Sequence, residues 1–280
     1  MKPSPSHPDD IATWLHRQPA NARAVDLSVI VPTYNEERRL PPTLVDMIDY
    51  LDSRKISYEI IVVDDGSCDR TSEVVKKFER IRSQVHLIRV PKNYGKGHAV
   101  RTGVLNANGR RVLFADADGS TPIEEVQRLE AALDRGAHIA IGSRALASEN
   151  TKVTTSWHRK YLGRAFNLCV NAMILPQVAD TQCGFKLFTG PCAKFLFERQ
   201  QSDGFSFDVE ILFIARQAGL KVEEVPINWT NIPGSKVSLV LDALRMFRDI
   251  VLYKVRHRAI SPQDFEDYSK AAQTEEQATP

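Results

Sequence analysis

Five short apolar runs rich in β-branched residues recur along the first half of the chain at intervals of one βα unit: LSVIVP from 27, EIIVVD from 59, VHLIRV from 85, RVLFAD from 111 and HIAIGS from 138. Segments with helical spacing separate them, among them LPPTLVDMIDYLDS and SEVVKKFERIRS. Strands that are apolar throughout and alternate with helices predict an α/β fold, with a mostly parallel central sheet covered on both faces and a Rossmann-like nucleotide-binding half. A polar cluster follows each run: PTYNE, DDGS, NYGKGHA, DADGS and GSRA. The carboxyl ends of the strands of an open α/β sheet share one edge, so these clusters converge on a single crevice.

With 280 residues, 42% of them hydrophobic, the chain can bury one elaborate domain or two small ones. A formal net charge of +2 lacks the basic excess of a dedicated nucleic-acid binder, and no nucleic-acid partner is expected. Cys68, Cys169, Cys183 and Cys192 show no CxxC pair and no histidines at ligand spacing, so they read as reduced thiols of a cytosolic protein. On that reading the NWT at 228 is a chance glycosylation sequon. Residues 1–25, rich in Pro and Ser near their start, read as a polar flexible tail without a signal peptide. No run reaches the ~18 apolar residues of a membrane span. The alternation stops after about 145, which divides 26–235 into halves at 145/146. Residues 259–280 carry five acidic residues and one lysine and are expected to be a disordered tail.

Asp116 and Asp118 are the sharpest local signal. Carboxylates at i and i+2 on an extended segment lie on one side of the chain, where both reach a hard divalent cation. That cation offsets their mutual repulsion and neutralises a departing nucleotide diphosphate. The competing reading has Asp118 opening an Asx turn before Gly119, with Asp116 incidental. In DDGSCDRTSEVV, Asp69, Thr71 and Ser72 suit a helix N-terminus and Glu73 its dipole. Asp64 and Asp65 sit earlier, at the strand exit, where a carboxylate can accept from a base N–H or a ribose hydroxyl. Tyr34 can stack on a base or cover the core edge.

NYGKGHAVRTG is neither a Walker loop nor a dinucleotide fingerprint, because Gly97 follows Lys96 where Ser or Thr is needed and Val100 stands where Gly is needed. What remains is Lys96 between two glycines before a helix, which is either an approach to a diphosphate or a plain loop. Arg144 and Lys236 can reach a polyanion or stand as solvated charges. Asp180, Gln182, Lys186, Asp208 and Glu210, in DTQCGFKLF and FDVEILF, serve a second substrate or form buried ion pairs.

Taken in order, PTYNE, DDGS, GKG, DAD, GSR, DTQCGFKLF, FDVE and NWTxIxGSK resemble the family 2 glycosyltransferases of GT-A fold, over about residues 27 to 258. Within them the pattern is similar to the dolichyl-phosphate β-glucosyltransferases and their bacterial polyprenyl-phosphate relatives. The resemblance implies a UDP-glucose donor, Mg²⁺ or Mn²⁺, a polyprenyl-phosphate acceptor, and a nucleotide-sugar half (26–145) followed by an acceptor half (146–235). Carried over by position, Pro32, Tyr34, Glu36 and Asp65 would hold the nucleoside, with Asp64, Lys96 and Ala117 also in the nucleotide-sugar site. Asp116 and Asp118 would bind metal and diphosphate, with Arg144 and Lys236 near the phosphates and Asp180, Gln182 and Lys186 on the acceptor side. Two departures matter. The eukaryotic members resembled carry an N-terminal membrane anchor where this chain has a polar tail, and the mannosyl branch carries an arginine where Thr230 stands.

A lipid-phosphate acceptor is already anionic, with a second pKa near ~6, so attack needs no strong base and inverts the anomeric centre to a β-linked product. A hydroxyl acceptor, soluble or polysaccharide, would need a base, and Asp208 is the candidate. A sugar nucleotidyltransferase and a nucleotide-binding module without catalysis are the rivals outside this reaction. The basic run 236–258 places Leu239, Val240, Leu244, Phe247 and Tyr253 on one helical arc, with Arg245, Arg248, Asp249 and Arg256 opposite. It can lie in an anionic membrane surface, peripheral on the cytoplasmic face, or pack on its own domain.

Overall fold

The computed structural model describes residues 25–146, 150–154, 175, 178–232, 249 and 252–278. All five expected strands form: β1 (Val25–Thr33), β2 (Tyr58–Asp64), β3 (Val85–Arg89), β4 (Gly109–Ala115) and β5 (Ile139–Ser143). Between them lie α1 (Leu40–Ser53), α2 (Thr71–Ile81), α3 (Lys96–Asn106) and α4 (Val126–Asp134). Helix α1 starts with proline in its first turn, where no N–H is missed, and buries Leu40, Leu44, Met47, Ile48 and Leu51 as one stripe. β1 and β2 are buried along nearly their whole length, as helices on both faces require.

Beyond residue 145 come β6 (Val153–Thr154), β7 (Phe185–Thr189), α5 (Gly190–Arg199), α6 (Phe207–Gln217), β8 (Val222–Pro226), β9 (Trp229–Thr230) and α7 (Pro262–Ala278). The main sheet has seven strands in the order β3-β2-β1-β4-β7-β5-β8, and β6 pairs with β9 apart from it. Every neighbouring pair in the main sheet is parallel except those of β7, which runs antiparallel between β4 and β5. The second half of the sequence therefore completes the sheet of the first. β1 lies between β2 and β4, so the connection leaves on one side and returns on the other. The crevice at such a reversal lies beyond the carboxyl ends of β1 and β4, where PTYNE and DADGS emerge.

The expected C-terminal tail is corrected by α7. Ser261, Pro262 and Asp264 start the helix: the Asp264 carboxylate accepts from the Ser261 backbone N–H at 2.7 Å and from its hydroxyl at 2.6 Å. Phe265 and Tyr268, three residues apart on one face, set their rings 5.3 and 5.5 Å from Phe195 of α5. Two aromatic anchors outweigh an otherwise polar composition. Lys236 and residues 238–248, 250 and 251 of the amphipathic run lie outside the described residues. Tyr253, assigned to the apolar arc, is fully buried in the protein's own core, and Asp249 accepts from Ser206 Oγ at 2.8 Å. Among the described residues no helix is long and apolar enough to cross a membrane.

Candidate active site

The exits of β1 and β2 build one wall. Pro32 is buried in β1, and Tyr34 follows it, half-buried. Asn35 takes a left-handed φ of 53° so that its amide oxygen accepts from Cys68 N (2.8 Å) while its own N–H reaches Ser67 Oγ (2.8 Å). Glu36 is buried and grips the guanidinium of Arg39 with both oxygens, at 2.7 and 2.5 Å. Arg39 in turn brings Nη1 to 4.0 Å from Asp118 Oδ2. Position-by-position reading missed Arg39, although a Glu and an Arg three apart ahead of a helix are the available signal.

Asp64 and Asp65 divide their work. Asp64 is fully buried and turned inward: it accepts from Ser67 N at 2.9 Å and from the Ser72 hydroxyl. It therefore closes the β2–α2 turn, and its place in the nucleotide-sugar site is not supported. Asp65 accepts from the backbone N–H groups of Tyr94 (3.1 Å) and Gly95 (2.7 Å), tying β2 to the loop that carries Lys96. Burial raises its pKa, and those two bonds oppose the rise.

Lys96 opens α3, and its Nζ lies 2.7 Å from Asp116 Oδ1 and 5.0 Å from the Phe114 ring centroid. Burial disfavours the ammonium, but Asp116, Asp208 and Asp118 together hold its pKa above the ordinary value. Asp116 is anchored through its backbone, N–H to Gly184 O at 3.0 Å, which leaves the carboxylate 38% exposed. Asp118, 25% exposed, accepts from Ser120 N at 3.0 Å through Oδ1. The Asx turn is thus present, and it aims Oδ2 toward Arg39. Ala117 between them is buried. Gly184 was also missed. A Cβ there would collide with the Asp116 carboxylate, so only glycine leaves that carboxylate its position.

The second half supplies paired charges. Arg144 takes Asp180 in a fork, Nε to Oδ2 at 2.7 Å and Nη2 to Oδ1 at 2.8 Å, and lies 5.5 Å from the Trp229 ring. Glu224 fixes that pair from behind by accepting from Ala179 N and Asp180 N, at 2.7 and 2.9 Å. Burial would raise the Asp180 pKa, but Arg144 holds it below the carboxylate range. Asp180 thus orients Arg144. Lys186 of β7 has no exposed side-chain surface and donates to Asp208 and, at 2.6 Å, to Cys183 O. Burial raises the Asp208 pKa, with Lys186 and Lys96 opposing. The buried-pair reading therefore holds for Lys186 and Asp208, which corrects the placement of Lys186 on the acceptor side and of Asp208 as a free base. Gln182 is half-buried in the loop between Asp180 and Cys183.

Cys183 belongs to this packed layer, and burial, with Asp180 nearby, pushes its thiol up to about 12. Iodoacetamide at about pH 8 should modify exposed Cys68 and spare Cys183 and Cys192 until the protein unfolds. Peptide mass spectrometry reads the pattern. Equal labelling of Cys68 and Cys183 on the folded chain would show that this layer is open.

A carboxylate pair at the switch point of the sheet, with Lys96, Arg39 and Arg144 close by, gathers oxygen donors and cations at one strand edge. The chain belongs to glycosyl transferase family 2, whose model matches residues 28–199. Within that family it is similar to the dolichyl-phosphate β-glucosyltransferase of Drosophila melanogaster, 39% identical over 263 residues that span 89% of this chain and 81% of the relative. It is likewise similar to those of Homo sapiens (38%, covering 82% and 75%) and Saccharomyces cerevisiae (35%, covering 82% and 75%). Among solved structures, it matches Mycobacterium tuberculosis glucosyl-3-phosphoglycerate synthase in complex with Mn²⁺ and UDP-glucose, with TM-score 0.58, 21% identity, and coverage of 85% of this chain and 80% of that one. The second likeness bears on the fold, which is GT-A.

Proposed function

We propose that the protein transfers glucose from UDP-glucose to a polyprenyl or dolichyl phosphate, inverting the anomeric centre to give a β-linked lipid-phosphate sugar. The relatives' named activity supports donor and acceptor. One geometric observation favours a phosphate over a hydroxyl acceptor: Asp208, the carboxylate nominated to deprotonate a hydroxyl, is buried and bonded to Lys186. A phosphate monoester, ionised above its second pKa of ~6, needs no such base.

The donor set fits Mg²⁺ or Mn²⁺. Asp116 and Asp118 are oxygen donors, partly exposed at a strand end, and Asp118 Oδ2 is left outside the Asx turn. Among the described residues no cluster of three or more His, Cys, Asp or Glu forms a closed metal cage. Two carboxylates plus diphosphate oxygens and water suit Mg²⁺, which seldom has an all-protein cage. When bound, the cation supplies charge neutralisation for the leaving diphosphate. Lys96 adds a cation on the same side, Arg39 orients Asp118, and Arg144 offers a fixed guanidinium edge beyond its Asp180 fork.

Radiolabelled UDP-glucose with Mg²⁺ or Mn²⁺ and polyprenyl phosphate should move label into the organic phase and release UDP, and EDTA should abolish the transfer. Pyrophosphate release would indicate a nucleotidyltransferase instead. Donor binding without turnover would leave a binding module.

Access to a lipid substrate would come through the first part of the basic run, 238–248, ahead of the residues that pack into the core, with the protein peripheral on the cytoplasmic membrane face. Truncation at 237 is a poor test, because it strips Tyr253 and His257 from the core. Leu244→Asp with Phe247→Asp should instead reduce flotation with anionic liposomes about tenfold or more while leaving turnover on a short-chain, water-soluble acceptor in place. Unchanged flotation would remove that run from the membrane contact.

A further inference from the structure

The chain connecting α5 to α6, residues 200–206, is held from two sides. On one side it packs directly against the loop that carries Lys96. His98 N–H donates to Asp203 O at 3.1 Å, and Gln200 Nε2 bridges Gly97 O (3.0 Å) and Ser202 O (2.7 Å). The two segments approach too closely for a side chain at either glycine. A Cβ on Gly97 would meet Phe207 Cβ at 2.8 Å and Gly204 O at 2.9 Å, and one on Gly95, whose φ is +121°, would meet the Asp203 carbonyl carbon at 3.0 Å. Displacement of 202–204 therefore displaces the turn that aims Lys96 at Asp116.

On the other side the connection is held by a part of the chain far away in sequence. The Tyr253 hydroxyl lies 2.8 Å from Ser202 Oγ and donates to Ser206 O at 3.2 Å. His257 Nε2 donates to Glu210 Oε1 at 2.8 Å, and the Glu210 carboxylate accepts from Gln201 N (3.1 Å) and Ser202 N (2.8 Å). Tyr253, His257, Glu210 and Ser202 are all buried. Buried polar groups joined in this way resist local opening, because breaking one bond strands its partner without water.

We propose that Tyr253 and His257 are positioning residues that, by fixing the 200–206 connection, hold the Gly95–Lys96–Gly97 turn in register with Asp116. Neither touches the reacting groups. The effect on donor binding rests on the proposed transfer reaction; the clamp on the turn does not.

Tyr253→Phe, which keeps the ring packing and removes the hydroxyl, is the direct test in the full chain. His257→Leu removes the donor to Glu210, and His257→Gln restores one. Hydrogen exchange at the amides of 95–99 should speed up about tenfold in Tyr253→Phe and His257→Leu, and return most of the way in His257→Gln. UDP affinity in the presence of Mn²⁺ should weaken about five- to tenfold in the first two variants, appearing in KM more than in kcat. In a Lys96→Ala background the same substitutions should change UDP affinity by less than about twofold, since they act through the lysine. Equal losses in both backgrounds, or unchanged exchange at 95–99, would overturn the proposal. If exchange responds while the parent protein binds no UDP, the clamp stands and the transferase reading fails.

Discussion

Asp116→Asn lowers kcat/KM for glucose transfer by about 10³-fold or more and leaves the thermal midpoint within about 2 °C of the parent. The two halves of that expectation have separate physical sources. The Asp116 side chain is more than a third exposed, and its structural bond is made by the backbone to Gly184, so asparagine fits the same space. What disappears is the charge that pairs with Lys96 and that, in the proposed reaction, would hold a cation beneath the departing diphosphate. Gly184→Ala should reach a similar loss by moving the same carboxylate away, without changing its chemistry. If both variants retain more than about a tenth of parental activity, Asp116 does not stand at the leaving group.

Asp208→Ala destabilises the protein by about 3–5 kcal/mol, a fall in thermal midpoint on the order of 10 °C for a domain of this size. Lys186 has no exposed surface, so the substitution leaves a buried ammonium with Cys183 O as its remaining close partner. The double variant Lys186→Met with Asp208→Leu should recover most of the loss, because the isolated charge and its partner are removed together. Transfer to a lipid phosphate should survive in the folded fraction of Asp208→Asn. Loss of several orders of magnitude in that fraction, with folding intact, would restore Asp208 as a base and point to a hydroxyl acceptor.

Legibility followed the range of the interactions. β1 to β5 were readable because their apolar runs are local and carry their own turn chemistry, and the convergence of PTYNE with DADGS followed from the strand-end rule alone. β7 was not readable as a member of the sheet. Its insertion between β4 and β5 is a long-range pairing, and no run of residues announces antiparallel entry into a parallel sheet. For the acids, spacing identified the right positions but could not assign partners. Asp64 and Asp65 are adjacent in sequence, yet one closes a turn and the other tethers the Lys96 loop. Lys186 and Asp208 were left open between substrate contact and buried pair, and only their mutual burial decides. At α7, composition argued for disorder, whereas the Ser261–Asp264 start and the Phe265/Tyr268 spacing were present to be read.

The central claim is that Asp116 and Asp118 together hold a divalent cation against the diphosphate of the donor. Electron paramagnetic resonance of Mn²⁺ titrated with the parent chain and with Asp116→Asn, each with and without UDP, tests it most directly. The account predicts that the parent immobilises one Mn²⁺ far more tightly when UDP is present and that the variant loses most of this gain. Equal, UDP-independent Mn²⁺ binding by both proteins would contradict it.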